Sequence, residues 1–114
     1  MTPCSCWDIV LVPLPFTDLT TSKKRPALVV SPDSYNSGSD VIIAFITSQL
    51  NTLPRPGDHL IIDWQASGLP KPSRLRMKLA TISRRIVIKK LGHLAATEKS
   101  RVQTVMSRFF DLQP

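Results

Sequence analysis

Residues 41–47, VIIAFIT, are apolar at nearly every position. The run is too short for a buried helix and rich in β-branched and aromatic side chains. It therefore predicts the central strand of a sheet. Ten prolines against four glycines imply stiff loops and short elements, a β-rich plan more than a helical bundle. A chain of 114 residues predicts a single domain over 1–114, burying about two-thirds of its unfolded surface.

Around that strand the sequence places others. Residues 8–13, DIVLVP, read as a strand that Pro13 helps to end, and residues 14–24, LPFTDLTTSKK, as a long loop. Pro26 opens the next strand, ALVVS, and biases Arg25 toward an extended backbone. PDSYNSGSD is a turn-rich bridge, NTLPRPG cannot sit inside a regular strand, and DHLIID is a short strand before the loop WQASGLPKP. From Arg74 the pattern alternates: Leu75, Met77 and Leu79 fall on one face, Arg74, Arg76 and Lys78 on the other. That cationic face is either a solvated edge or a track for phosphates. IVIKKLGHLA gives one further strand or two short ones, bent at Gly92. Thr97 is placed to cap a terminal helix whose Val102, Val105, Met106, Phe109 and Phe110 form a stripe expected to join the core. Five or six strands and one helix describe a small, partly open barrel with its loops gathered at one side.

Charge is distributed unevenly. Residues 1–60 sum to −1 and residues 61–114 to +8, which favours a polyanionic partner such as nucleic acid, an acidic protein or anionic lipid. Cys4 and Cys6, two residues apart on an extended chain, point the same way but span too far for an easy disulfide, and His59 and His93 stand apart, so neither a disulfide nor a zinc site is expected. No apolar run reaches membrane-span length, and the reading is of a reduced, cytoplasmic protein with no membrane partner.

Carboxylates are scattered singly, which disfavours a metal-dependent nuclease, and phosphate-cradling glycine loops are missing. What remains is cationic and hydroxylic. RNA can be cleaved by its own 2′-OH if a protein stabilises charge on the phosphoryl oxygens. An arginine fork suits those oxygens, and a threonine hydroxyl can donate to one of them. Arg25 and Thr47 fit those roles; equally, Arg25 reads as a surface residue beside a proline and Thr47 as an ordinary strand end.

The segments DIVLVPLPFTDLTTSKKRPALVVS, IIAFITSQL, GDHLIID, SGLPKPSRLRMKLATI and IKKLGHLA, in that order, resemble the PemK/MazF-like toxins of type II toxin–antitoxin systems. The resemblance implies a mainly β, SH3-like barrel of the PemK/MazF/CcdB type with a C-terminal helix, usually a homodimer. It implies a metal-independent, sequence-selective endoribonuclease on single-stranded RNA, leaving a 2′,3′-cyclic phosphate and a 5′-OH, with no cofactor. Arg25 and Thr47 match the family's catalytic pair. Lys23 and Lys24 fall at the end of the loop that flanks the RNA groove, and Ser48 and Gln49 border it. Arg74, Arg76 and Lys78 are then expected to touch RNA backbone and Trp64 to stack on a base. A cognate acidic antitoxin is the implied protein partner. A barrel toxin that binds DNA gyrase, and a quiet RNA- or protein-binding barrel, are the alternatives. One departure stands out: the family's first strand usually opens GDI, where this chain has Trp7, Asp8 and Ile9, so the N-terminal turn is expected to differ.

Overall fold

The computed structural model describes residues 1–14 and 23–112, with the side chain of Leu14 left out. Six strands form one antiparallel sheet: β1 (Asp8–Leu14), β2 (Lys23–Val29), β3 (Asp40–Thr47), β4 (His59–Ile61), β5 (Ser73–Ser83) and β6 (Lys89–His93). Their order is β4-β5-β3-β2-β1-β6, so VIIAFIT lies inside the sheet as the sequence predicts. A one-turn helix, α1 (Asp33–Asn36), falls in the turn-rich bridge, and α2 (Ala96–Phe109) closes the chain. The sheet curls into a half-barrel carrying α2. The loop expected over residues 14–24 lies mostly outside the described residues.

The curled sheet is apolar on both sides. Val10, Val12, Ala27, Val29, Val41 and Ile43 pack with Cys4, Ile82 and Val87 on one face. Ile9, Leu28, Ala44, Ile46 and Leu75 pack on the other with Ile61, Leu69, Leu94 and Val102. Neighbouring residues of β1, β2 and β3 thus point into opposite clusters, which is why these strands read as continuous apolar runs.

The regular alternation in β5 does not survive. Between the pairs Ala44–Leu79 and Ile46–Leu75 the register shifts, leaving Arg76, Met77 and Lys78 opposite Phe45 alone. The bulge breaks the two-residue period. Arg74 is buried together with Ser73 and Leu75, and Leu79 emerges to solvent. The expected oily-inside, cationic-outside strand is therefore corrected.

Thr97 does not cap α2. Ala95 holds the extended cap position, and Thr97, one residue inside the helix, donates its hydroxyl to the Asp63 carboxylate. What ties α2 to the sheet is Glu98, which is fully buried. Its carboxylate accepts the Asp63 N–H and the His59 Nε2–H, each at 2.8 Å. Burial alone would raise this carboxyl; the Asp63 and His59 donors outweigh that and hold it below its ordinary value. The Phe109–Phe110 end of α2, expected in the core, instead stays exposed.

Trp7 adopts φ 73°, the left-handed backbone that glycine takes most easily. The turn expected to change at this residue keeps the glycine-like conformation despite the indole. The Trp7 N–H donates to Val29 O at 2.8 Å and its carbonyl accepts the Leu94 N–H at 2.9 Å. The indole packs against the α2-side cluster, which offsets a backbone cost of about 1–2 kcal/mol.

Candidate nucleic-acid cleft

Where β2 and β3 run past their ladder, the sheet opens into a cleft of about 640 Å³. Arg25, Lys24 and Pro26 line one wall, Thr47, Ser48 and Gln49 leave the end of β3, and Phe45, Arg76 and Lys78 sit beside the β5 bulge. The β2–β3 register pairs Ala27 with Phe45. Continued two residues outward, the same register sets Arg25 against Thr47. Pro26 immediately precedes that ladder, so the strand end that carries Arg25 is fixed by the apolar run behind it.

Arg25 is exposed, with Nη1 donating to the Lys24 carbonyl at 3.2 Å and its other donors without a partner among the described residues. Thr47 Oγ1 accepts the Gln49 N–H at 3.2 Å. That bond occupies a lone pair and leaves the hydroxyl proton available to donate. Lys78 Nζ lies 5.0 Å from the Phe45 ring centroid, a cation–π contact at the cleft wall.

Not every basic residue reaches the cleft as a free charge. Arg74 does not line it. Its guanidinium is buried under the β3–β4 loop, donating to the carbonyls of Thr52 and Leu50 at 3.3 Å and lying 3.7 Å from Asp58. Arg76 lines the cleft with Nε and Nη2 on Asp58 at 3.2 and 2.9 Å. Trp64 packs against the α2-side cluster and is not part of the lining. Lys23 is exposed at the start of β2, beside the cleft without lining it. Two basic residues unnoticed in the sequence, Arg55 and Lys71, do line it. Both stand in proline-rich loops, Pro-Arg-Pro and Pro-Lys-Pro, a rigid context that could have marked them.

Asp58 organises this side of the cleft. Burial would raise its carboxyl, but the Arg76 guanidinium, the Arg55 N–H and the Arg74 charge hold it below the usual carboxylate range. It therefore stays ionised and offsets part of the arginine charge. The lining itself contains Lys24, Arg25, Arg55, Lys71, Arg76 and Lys78 and no carboxylate among the described residues. Among those residues no three His, Cys, Asp or Glu side chains gather as metal ligands. No helix is long and apolar enough to cross a membrane, again among the described residues.

The molecule is thus a small curled half-barrel with a cationic, hydroxyl-bearing cleft at the ends of its central strands. The family model of PemK-like, MazF-like toxins of type II toxin–antitoxin systems matches residues 5–110, and the chain belongs to that family. It is a toxin of this type, related to the MazF/PemK ribonucleases. Solved structures share the fold at low identity. A mycobacterial endoribonuclease in complex with its cognate antitoxin superposes with a TM-score of 0.77 at 15% identity, covering 97% of this chain and 98% of that one. The Mycobacterium tuberculosis toxin MazF-mt6 gives 0.73 at 21%, covering 94% and 99%. A MazE–MazF structure from Deinococcus radiodurans gives 0.71 at 18%, covering 94% of each chain. No curated protein matches the sequence.

Proposed function

We propose that the chain, acting as one domain, is an endoribonuclease that cleaves single-stranded RNA through Arg25 and Thr47 without a metal ion. The observation that carries this reading is the convergence of those two residues in one cationic cleft that no carboxylate lines among the described residues. The scissile phosphate sits between them. The ribose 2′-oxygen attacks phosphorus, the P–O5′ bond breaks, and the products are a 2′,3′-cyclic phosphate and a 5′-OH. The 2′-OH proton leaves to solvent and the departing 5′-oxygen takes one up.

Arg25 offers its fork to the phosphoryl oxygens as negative charge builds on them. Thr47, with a lone pair occupied by the Gln49 N–H, donates its own proton to one of those oxygens. Charge and position supply the effect. Lys24, Lys71, Lys78, Ser48 and Gln49 neutralise or hydrogen-bond the flanking backbone. Lys23 adds charge at the entrance.

The proposal extends to partners. The similar mycobacterial fold was solved with an antitoxin, and a segment rich in Asp and Glu would suit this cleft by charge. A homodimer is supported by the apolar end of α2, where Phe109 and Phe110 are each 43% exposed, together with Leu79 on β5. The cytoplasm, where RNA and antitoxin are met, is the proposed location.

The test is incubation of purified protein with RNA in EDTA, beside Arg25→Ala, with fragment 5′ ends mapped. Cutting that persists in EDTA and falls at least about a hundredfold in Arg25→Ala supports the proposal. Intact RNA, with trapped gyrase complexes or with RNA merely retained, refutes it.

A further inference from the structure

Among the described residues, Arg55 is the cleft arginine whose guanidinium is not claimed by any partner. Arg25 has given one donor to Lys24 O, Arg76 is held by Asp58, and Arg74 is buried. Among the described residues no carbonyl or carboxylate takes the Arg55 guanidinium, and the side chain is exposed in the cleft lining.

Its backbone is the opposite of free. Pro54 and Pro56 flank it in sequence. Its N–H donates to Asp58 Oδ2 at 2.8 Å and its carbonyl accepts the Asp58 N–H at 3.0 Å. Gly57 turns the chain at φ 85°, completing a Pro-Gly turn that closes on Asp58. Asp58 is in turn locked by Arg76, and its side chain is only 4% exposed. A cation meant only to neutralise phosphate needs no such anchoring; flexible lysines do that, and Lys24, Lys71 and Lys78 already line the cleft. A planar fork on a preorganised backbone suits recognition of two acceptors fixed in one plane. In single-stranded RNA the guanine edge, O6 and N7, offers this pair and is the base partner an arginine fork takes most often.

We infer that Arg55 is a specificity-determining residue that reads a guanine beside the scissile bond, and that Asp58 is the positioning residue that aims it. This rests on the nuclease reading for its biological meaning, though not for its measurement.

The experiment has two arms. A random RNA pool is cut by wild type, Arg55→Ala, Arg55→Lys and Asp58→Asn, and 5′ ends are mapped. In parallel, binding of 2′-O-methyl oligonucleotides with or without guanine at the selected position is titrated against salt. Wild type should prefer guanine at one fixed position, and Arg55→Ala should lower that preference about ten- to a hundredfold. Arg55→Lys should not restore it, since lysine lacks the fork, and Asp58→Asn should weaken it in the same direction. Arg55 lies in an exposed loop, so an unchanged melting curve for Arg55→Ala separates recognition from folding.

An unaltered site profile overturns the inference. So does a uniform loss across sequences with the salt slope reduced by about one, the mark of a phosphate contact only. A wild type that prefers guanine through Arg55 in the binding arm but leaves RNA intact overturns the nuclease reading alone. A wild type that cuts without guanine at any fixed position overturns this inference alone.

Discussion

At the level of single residues, three carboxylates set how the protein answers to pH. Asp8 accepts from His93 Nδ1 at 2.8 Å, from Lys90 at 3.1 Å and from the Ser5 N–H at 2.9 Å. Burial works against its ionised form, but these donors prevail and its carboxyl lies below the usual range, as do those of Asp58 and Glu98. A depressed folded value means the unfolded state binds protons first on acidification. The stability contributed by the three is fully present above about pH 4.5 and is lost as pH falls through their folded values. Urea midpoints measured from pH 7 down to pH 2 should therefore hold near neutrality and fall steeply below about pH 4. Glu98→Gln should flatten part of that fall; an identical profile would show that Glu98 does not contribute to it.

Gly92 gives a second residue-level test. A Cβ there would fall inside the van der Waals radius of the Ser67 carbonyl, and backbone cannot swing aside as a long side chain can. Gly92→Ala should cost about 2–3 kcal/mol, read as a lowered urea midpoint at constant slope. An unchanged midpoint would mean that the loop over β6 is not packed as described. Asp58 and Gly92 were both visible in the sequence without their partners. Asp58 looked like one more scattered acid because the arginines that meet it come from a strand 16 to 18 positions later.

Among the elements, α2 and the β3–β4 loop depend on each other's supports. The helix is fastened at its start by Glu98 to His59 and Asp63. At its end Phe109, with Met77, packs so near Gly57 that a Cβ there would clash with both. That turn carries Arg55 and Asp58, so one helix braces the cleft loop from behind. Removing the buried carboxylate with Glu98→Ala should cost about 3–5 kcal/mol and leave two donors without an acceptor. Differential scanning calorimetry reads that loss; a melting temperature within a degree of wild type would contradict it.

Strand positions were legible because apolar runs and prolines mark them locally. VIIAFIT and DIVLVP needed no knowledge of their neighbours to be recognised as strands. The alternation in β5 misled for the opposite reason. A bulge is a property of the strand pair, so RLRMK could not disclose that Phe45 alone would face three of its residues, nor that a loop would close over Arg74. The cap at Thr97 failed because Asp63, distant in sequence, takes its hydroxyl.

For the molecule as a whole, fold and family were legible in the order of several short motifs, and two residues those motifs carry, Arg25 and Thr47, line the cleft. The rest of the lining was legible only in part, since basic character alone does not separate Lys78, which lines the cleft, from Arg74, which does not. The apolar Phe109–Phe110 face makes its own prediction at this scale. Phe110→Asp should shift a sedimenting dimer to monomer, and a wild type that sediments as a monomer at micromolar concentration would contradict the proposed assembly.

The central proposal is that a fixed guanidinium and a donating hydroxyl suffice for RNA to cleave itself. A single 2′-deoxy nucleotide placed at the mapped cut site, in an otherwise all-ribose strand with EDTA present, tests it most directly. Loss of cutting at that one position, while the all-ribose strand is cut into 2′,3′-cyclic phosphate and 5′-OH ends, is the expected result. Continued cutting of the deoxy strand, or dependence of the all-ribose reaction on added divalent metal, would contradict it.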